Sequence, residues 1–593
     1  MAIDGLPATE QQQAQFLDCV REGFAAASAR TGEIVRDFHL ADTWIRLRFA
    51  GEALISAIVP GLAGPVPSFA TEPQFEICLW DTETTGVPLA RRPRPVRDFT
   101  GRGNIWGFDS CRYRSAYQWG EGSVSVMDRE TRQAVFWVPS SQQLPTWVLA
   151  SPLRSILHWC MELNGRQLVH AAAVGFGGRG VLLPGRGGSG KSSTALACLV
   201  GGLDFISDDY LALALDPEPR AYRLYSTAKL NPRSLTLYPE LASRCRTVYQ
   251  PGFDKLVLFL EDGYRDQLRE SLPVDLVLTP YITGLPETTL APVERQEVER
   301  ALAAETLGHL PHVGSQTVEF LDRASREIPR AAIHLGIDRT AIPSAIKRAL
   351  ETRTTIDVSR HQAGTLRPFV SVIAHFRQED CEELRILAEE VEAQGYPRTE
   401  FIAAVDGTDW ALADYVSQLP GTVRLLPSKD PVVNAEAWNR GIRESFSEFL
   451  ILIEPGDRLQ PGALDALVDG VEQPSGAAWV RGRLLSAGPR EESFSPLRGA
   501  LIRKSAFRRY GLFHTDPFFQ GREHQEWLKR LEREQAAGRQ LEAVILRAAC
   551  STSIEPRRPS NDGLLTFLKG ELDRQRRGAG NNSAPGTKLN QTT

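Results

Sequence analysis

A glycine-rich segment between Gly185 and Ser193 carries the clearest chemical signal in the sequence. It reads GRGGSGKSS and satisfies the pattern G-x-x-x-x-G-K-[ST], in which backbone N–H groups hold phosphate oxygens. In that arrangement Lys191 reaches the outer phosphates, and the hydroxyl of Ser192 binds Mg²⁺. The alternative is a glycine turn that happens to precede Lys-Ser. We expect a bound nucleotide to contact every residue of the segment: Gly185, Arg186, Gly187, Gly188, Ser189, Gly190, Lys191, Ser192 and Ser193.

Two adjacent acids follow the loop in a position that fits metal chemistry. Asp208 and Asp209 lie in the predicted strand DFISDDYLALAL. Near Mg²⁺, one carboxylate can bind the ion and the other can remove a proton from an acceptor hydroxyl. The pair could instead only cap the end of a strand. Lys229 and Lys255 stand out because lysine is scarce beside arginine, and each is either a phosphate contact or a solvated surface residue.

The segments around the loop predict the elements that position these groups. Residues 181–184 form a short apolar strand, and Leu196, Leu199 and Val200 define one face of a helix that begins in the loop. The N-terminus of that helix favours phosphate. Upstream, LVHAAAV and GVLLPG are separated only by GFGGR, which predicts an antiparallel hairpin and therefore a mixed sheet. His170 lies on the outer strand of this hairpin, where it is either catalytic or a satisfied core histidine.

The chain around the loop reads VHAAAVGFGGRGVLLPGRGGSGKSSTALACLVGGLDFISDDYLAL. This run resembles the catalytic core of the HPr kinase/phosphorylase family and its serine-kinase relatives, a fold shared with phosphoenolpyruvate carboxykinases. The spacing from His170 to the first loop glycine matches the family. The resemblance implies ATP and Mg²⁺ as ligands, with His170, Lys191 and Asp209 as catalytic residues and Asp209 as the base. It places Ser192 and Asp208 on the metal ion.

The reaction direction follows from a difference from that family. We find no counterpart of its glycine-rich E-I-R-G segment, which supplies a further metal ligand and supports the reverse, phosphorolytic reaction. The resemblance therefore implies a one-way kinase whose acceptor is a hydroxyl group, a serine of a protein or peptide. Similar stand-alone domains occur among peptide-tailoring kinases of bacterial biosynthetic clusters.

The region after Phe369 alternates strands and helices, as in a mostly parallel sheet covered by helices. Its segments VSVIAHF, FIAAVDGTD, NAEAWNRGI and FLILIEPGDRLQPGALDAL resemble the nucleotide-sugar half of family 2, GT-A-type glycosyltransferases. The resemblance implies that Asp406 pairs with the base of a nucleotide-sugar. Acids at the carboxyl ends of parallel strands face the crevice in which such folds bind ligands.

The same resemblance assigns two further roles in this region. Glu454 and Asp457 would approach a Mn²⁺ or Mg²⁺ ion that bridges the diphosphate, although Gly456 replaces the second acid of the family's D-x-D motif. GREHQEWLKRL resembles the segment that presents the catalytic base, which makes Glu523 the counterpart, and His524 adds a polar group. The alternative is a retained fold that recognises substrate without transferring sugar.

Length and composition limit the remaining classes. The 593 residues are 42% hydrophobic and 24% charged, the balance of a globular protein with several domains. With 68 basic and 73 acidic residues the net charge is −5, so no overall positive field draws in nucleic acid. Eight cysteines without a C-x-x-C pair, and no apolar run long enough to span a membrane, predict a cytoplasmic protein.

These patterns predict an α/β multidomain chain. The expected parts are a β-rich N-terminal domain (1–150), an HPr-kinase-like ATP-binding domain with a mixed sheet (151–355), a linker (356–367), a GT-A-like, Rossmann-like α/β domain (368–573) and a disordered tail (574–593).

The sequence is compatible with three functions. The first is an ATP-dependent serine kinase fused to a glycosyltransferase-like module. The second is a bifunctional enzyme that phosphorylates and glycosylates one acceptor, and the third is an ATP-binding scaffold whose glycosyltransferase-like part only recognises a partner. The sequence identifies neither the acceptor nor the oligomeric state.

Overall fold

The computed structural model describes residues 6–548 except for ten short gaps. These gaps are residues 67–71, 236–237, 251–254, 352–366, 378–379, 408–422, 473–476, 487–496, 517–521 and 534–537. The predicted tail and all but the last residue of the predicted linker lie outside the described residues. The chain divides into two compact units, one from Gly5 to Arg367 and another that begins at Pro368.

The first unit opens with a helix that the sequence analysis did not predict. Helix α1 (Glu10–Thr31) begins at a capping box in which Thr9 and Gln12 satisfy each other's backbone N–H groups. Its buried face, which includes Phe16 and Val20, joins a hydrophobic cluster with side chains of the adjacent sheet. The N-terminal part is therefore a sheet with one long helix on it.

That sheet has seven strands in the order β3-β1-β2-β4-β7-β6-β5. The strands are β1 (Glu33–Leu40), β2 (Thr43–Ala50), β3 (Pro65–Val66), β4 (Phe75–Asp81), β5 (Tyr113–Gln118), β6 (Ser123–Asp128) and β7 (Gln133–Val138). The short helices of this part are α2 (Ile55–Ile58), α3 (Thr82–Thr85) and α4 (Thr146–Ala150). Strand β2 buries Ile45, Leu47 and Phe49, the three residues whose alternation with arginines predicts a strand here.

A mixed eight-stranded sheet follows. It contains β8 (Gln167–Phe176), β9 (Arg179–Pro184), β10 (Asp204–Ser207), β11 (Tyr210–Ala214) and β12 (Arg220–Tyr222). A separate three-stranded sheet holds β13 (Thr227–Leu230), β14 (Arg246–Val248) and β15 (Leu256–Phe259). The larger sheet is completed by β16 (Ser271–Ile282), β17 (Thr289–Ala291) and β18 (Arg330–Leu335). Strands β8 and β9 form the predicted antiparallel hairpin, and β9 also pairs in parallel with β16.

Eight helices of the first unit follow α4 in the described residues. They are α5 (Arg154–Leu163), α6 (Lys191–Val200), α7 (Pro232–Leu235), α8 (Pro239–Arg244), α9 (Glu261–Tyr264), α10 (Arg295–His309), α11 (Ser315–Glu327) and α12 (Ala341–Glu351). Helix α6 starts directly after the glycine-rich loop, and α10 packs against β8.

The boundary expected at residue 150 does not separate compact bodies. One hydrophobic cluster combines Phe49 and Phe136 of the N-terminal sheet with Met161, Tyr210 and Leu310 of the following part. The two predicted domains thus share a core, because the faces they present to each other are both apolar.

The second unit contains an eight-stranded sheet in the order β21-β20-β19-β22-β25-β24-β26-β23. Its strands are β19 (Val370–Phe376), β20 (Thr399–Asp406), β21 (Val423–Ser428), β22 (Phe449–Ile453), β23 (Arg458–Leu459), β24 (Trp479–Ser486), β25 (Ala500–Arg503) and β26 (Gly538–Ala548). The first four strands in that order are mutually parallel, as in Rossmann-like folds. The described helices are α13 (Cys381–Ala393), α14 (Asn434–Glu444), α15 (Ala463–Glu472), α16 (Lys504–Tyr510) and α17 (Glu523–Arg533). The protein is therefore a mixed α/β chain with several sheets.

No helix in the described residues has both the length and the apolar composition needed to cross a bilayer.

Candidate active site

The glycine-rich loop joins β9 to α6 in the first unit. Gly188 and Gly190 have φ angles of +83° and +101°, which side chains other than glycine rarely adopt. Gly190 is the residue before α6, so the first N–H groups of the helix face the loop. The backbone thus has the turn that a phosphate-binding loop needs.

Two hydrogen-bond contacts show which groups the backbone of this loop can bind. The Nζ of Lys191 donates hydrogen bonds to the carbonyl oxygens of Gly185 and Arg186, and burial lowers the pKa of its ammonium group. The backbone N–H of Gly187 donates to Oε1 of Glu305 at 2.8 Å. A carboxylate oxygen therefore already sits on a loop amide, in the way a phosphate oxygen would. The contact with Glu305 shows that the loop amides can bind an anionic group.

Asp208 and Asp209 interrupt what the sequence presents as one strand, because they fall between β10 and β11. Asp208 is buried and accepts the backbone N–H of Lys229 at 2.9 Å. Burial, and then the charge of Asp209, raises the pKa of Asp208 to about 6. The hydroxyl of Ser192 lies 3.5 Å from the carbonyl oxygen of Asp208. The structure thus places Ser192 beside the backbone of Asp208, while the Asp208 carboxylate contacts Lys229.

Asp209 lies at the centre of a charged network. Its Oδ1 is 2.9 Å from Nε2 of His170, and its Oδ2 is 2.6 Å from Nζ of Lys229. The Ser151 hydroxyl contacts the same carboxylate at 3.4 Å. Burial favours the protonated acid, but Lys229 and His170 outweigh it and hold the pKa of Asp209 well below its usual value. Asp209 is therefore an ionised carboxylate across the physiological range.

The network around Asp209 shows where Lys229 and His170 lie. Lys229 is an ion-pair partner of Asp209 with only 17% of its side chain exposed, so the surface interpretation is wrong for this residue. Lys255 is exposed. His170 stacks on Tyr210 with the ring centroids 4.7 Å apart and also points towards Asp209, so it belongs to the site.

Sequence reasoning missed two residues of this site, Glu305 and His309. Both lie on α10, one turn apart, which places them on the same face of the helix. Burial favours the protonated form of Glu305, but contact with His170 outweighs it and lowers the pKa of Glu305 to about 2. Although half of the His309 side chain is exposed, desolvation of its ring and the nearby charge of His170 lower its pKa to about 4. The sequence around them, AAETLGH, carries no motif. Only the packing of α10 on β8 reveals them.

Beside Asp209 lies a narrow crevice between closely packed side chains. The residues that line it come from α4, β10, β11, β13 and the turns between them: Ala150, Ser151, Ser207, Asp208, Asp209, Tyr210, Tyr225, Thr227 and Lys229. In this structure the crevice is too tight to hold a water molecule.

In the second unit, a polar cluster lies at the carboxyl ends of parallel strands. Asp406 ends β20, and its Oδ1 is 3.1 Å from Nε2 of His375 at the end of β19. The same oxygen accepts the N–H of Val432, and Nδ1 of His375 lies 2.8 Å from Oδ1 of Asn434. The sequence analysis named Asp406 but not His375. His375 pairs in register with Ala404, and Asp406 lies two residues further along β20, so the two side chains lie on the same face of the sheet.

The acids Glu454 and Asp457 share one arginine. Arg498 contacts Asp457 at 2.6 Å and Glu454 at 3.0 Å, and the Asp457 side chain is fully buried. Asp457 also accepts the backbone N–H of Glu454, as in a tight turn before a helix. Burial raises the pKa of Glu454, which Arg498 opposes. A divalent ion at Asp457 would have to displace Arg498.

Glu523 and His524 open α17. Glu523 is 7% exposed, and its charge adds slightly to the rise in the pKa of Glu454 that burial causes. His524 stacks on Trp438 with the ring centroids 4.6 Å apart, and burial lowers its pKa to about 3. His524 is thus a neutral packing residue, while the role of Glu523 as a base stays a prediction.

We expect Arg498→Met to destabilise the second unit by about 3 kcal/mol, because the buried carboxylate of Asp457 loses its partner. Urea-induced unfolding, assigned to this unit by hydrogen exchange in β22, measures the change. The double variant Asp457→Asn, Arg498→Met should recover most of the loss. Arg440→Met serves as the control, because the described residues pair Arg440 with a carbonyl oxygen at the surface and with no carboxylate. A change of less than about 0.5 kcal/mol in Arg498→Met would contradict the assignment.

No protein-family model and no curated protein matches the chain. Among solved structures, the mannosyltransferase PcManGT from Pyrobaculum calidifontis, in complex with GDP-Man and Mn²⁺, is similar to this chain at 16% sequence identity and a TM-score of 0.26. The similarity covers 37% of this chain and 67% of the mannosyltransferase. The resemblance to HPr kinases stays a prediction from the sequence.

Proposed function

We propose that the first unit is an ATP-dependent kinase that transfers the γ-phosphoryl group to a hydroxyl, a serine of a protein or peptide. The observation that carries the proposal is the convergence of Lys191, Ser192, Asp208 and Asp209 around a loop whose amide already holds a carboxylate oxygen. A kinase needs this combination of an anion-binding loop, a metal-binding pair and a carboxylate.

In the proposed reaction the loop N–H groups orient the phosphates of ATP, and Lys191 places its positive charge beside them. Ser192 and Asp208 are the residues that would hold Mg²⁺, which neutralises charge on the phosphate oxygens. Asp209 accepts a hydrogen bond from the incoming hydroxyl and takes its proton as the new O–P bond forms. The bond between the β–γ bridging oxygen and the γ-phosphorus breaks, and ADP leaves.

The surroundings of Asp209 suit this role. A carboxylate that stays ionised is ready to orient a hydroxyl at any pH near neutrality. Lys229 and His170 fix the two oxygens of Asp209, so one orientation of the base is preferred.

For the second unit we propose recognition of the acceptor. Gly456 removes one carboxylate from the metal-binding motif, and Arg498 neutralises Asp457, so the site lacks two free acids for a divalent ion. The second candidate is glycosyl transfer from a nucleotide-sugar with Mn²⁺ or Mg²⁺. The pair of Asp406 and His375 at the carboxyl ends of the parallel strands favours it.

Thermal unfolding of the full chain separates these functions. We expect ATP with Mg²⁺ to raise the Tm by a few degrees, because a ligand that binds only the folded state stabilises it by about 2.7 kcal/mol at a hundredfold excess over Kd. GDP-mannose or UDP-glucose with Mn²⁺ should leave the Tm unchanged. Incubation with γ-labelled ATP and a library of serine-containing peptides then detects transfer. A Tm that responds only to nucleotide-sugars would overturn the kinase proposal.

A further inference from the structure

Three side chains from two elements meet beside the loop. His170 comes from β8, while Glu305 and His309 come from α10. One ligand atom from each residue lies within 4.8 Å of the other two. Two imidazoles and one carboxylate are the donor set of many Zn²⁺ sites that keep an open coordination position.

Two of the distances between these ligand atoms suit a tetrahedral ion. Oε2 of Glu305 is 3.5 Å from Nδ1 of His170 and 3.2 Å from Nδ1 of His309. For Zn–N and Zn–O distances of ~2.0–2.1 Å, two ligand atoms of a tetrahedral ion are about 3.3 Å apart. Nδ1 of His309 also lies 3.0 Å from the carbonyl oxygen of Glu305, a contact that metal binding would replace.

The buried Nδ1 of His170 is poorly satisfied. Its contact with Oε2 of Glu305, at 3.5 Å, is too long for a good hydrogen bond. A poorly satisfied buried ring nitrogen is costly, and a metal ion would satisfy it. Nε2 of the same ring meets Asp209 at 2.9 Å.

The groups around the three side chains match the outer shell of a metal site. Metal-binding histidines usually donate their second ring N–H to a carboxylate, which fixes the tautomer, and Asp209 occupies that position for His170. Metal-binding carboxylates are themselves hydrogen-bonded, and Oε1 of Glu305 accepts the N–H of Gly187 while Oε2 faces the imidazoles.

We propose that His170, Glu305 and His309 bind one divalent transition-metal ion, of which Zn²⁺ fits the ligand set. The ion would be distinct from the Mg²⁺ that accompanies ATP, because imidazole ligands select transition metals over Mg²⁺. It would hold His170 with its Nε2–H directed at Asp209. The proposal does not depend on the kinase activity.

The test is a titration of the chelator-treated full chain with Co²⁺, in the absence of nucleotide. We expect visible ligand-field absorption that saturates at one equivalent and disappears when Zn²⁺ is added. His309→Ala and Glu305→Gln should weaken Co²⁺ binding by at least about 10–100-fold, the range seen when even an outer partner of a metal site is lost. His309 ends its helix and is half-exposed, so its replacement should leave the fold intact.

His334→Ala is the matched control, since His334 lies on β18 and is not part of the cluster. The control should keep the absorption and the affinity of the unmodified chain. Absence of the absorption in the unmodified chain, or equal affinity in His309→Ala, would overturn the proposal. A Tm that still rises with ATP and Mg²⁺ in His309→Ala would show that failure of the metal site and failure of the nucleotide site are separate results.

Discussion

Lys191→Met should reduce phosphoryl transfer by roughly 10³-fold or more while the chain stays folded. The side chain is 6% exposed, and methionine preserves most of its apolar volume, so the main loss is the positive charge beside the phosphates. That charge acts mostly on the transferring group, so the effect should fall on kcat more than on KM. The measurement is the rate at which label from γ-labelled ATP enters the serine-peptide library.

Lys347→Met is the matched control for this variant. Lys347 lies on α12, far from the loop in sequence. Its ammonium nitrogen is 4.8 Å from the centroid of the Phe176 ring. Its replacement should leave the transfer rate within a factor of about two, as expected for a surface change. A Lys191→Met variant with the rate of the unmodified chain would show that the loop does not hold the reacting phosphates.

Asp209→Asn should lower the transfer rate by about 10²–10⁴-fold, because the amide cannot accept the proton of the hydroxyl. The substitution keeps the size of the side chain, but it also removes the negative charge that Lys229 and His170 contact. ATP binding should persist, since Asp209 is assigned to the acceptor and not to the nucleotide. The measurement combines the single-turnover transfer rate with the ATP-induced rise in Tm.

Asp204→Asn is the control for Asp209→Asn. Asp204 begins β10, the strand that precedes the two acids, and it pairs with Arg269 at 2.7 Å near the surface. The same chemical change there should leave the transfer rate unaffected. If Asp209→Asn transfers phosphate at the full rate, Asp209 is not the base, and Asp208→Asn becomes the next variant to measure.

The kinase proposal and the metal proposal meet at Glu305. One carboxylate oxygen of Glu305 accepts the N–H of Gly187 in the loop, and the other faces two imidazoles. A nucleotide phosphate on the Gly187 amide would displace the first oxygen, and a metal ion would bind the second, so each ligand would change the position of Glu305. Parallel titrations with ATP and with Co²⁺ will reveal whether the two ligands bind together or exclude each other.

The elements around the loop were predictable because their signals are local. The apolar stretch before Gly185, the helix face after it and the short GFGGR turn depend on neighbours within a few residues, and the structure shows the corresponding strand, helix and hairpin. Helix α1 was missed although Thr9 and Gln12 form a capping box. Its apolar residues Phe16, Val20 and Phe24 do recur at helical spacing, but the alternation of the following strands dominated the interpretation of that region.

The partners of the candidate catalytic residues were not predictable from the same patterns. Ser151 and Glu305 are distant in sequence from Asp209 and Lys191 and stand in segments without a motif, and Lys229 stood out only because lysine is scarce, with nothing to indicate its pairing with Asp209. In the second unit, Arg498 lies well after the acids that it neutralises. Nothing in a one-dimensional pattern distinguishes a free carboxylate from one that an arginine holds.

The sequence by itself determined the local chemistry: a loop of glycines that can wrap phosphate, a lysine and serine after it, and two adjacent acids at the end of a strand. Tertiary structure alone decided the charge states of those groups and which residues surround them. Burial and ion pairs between distant segments set the pKa of a carboxylate. Packing of α10 on β8 placed Glu305 and His309 beside His170, and a shared core joined the N-terminal sheet to the loop-bearing part.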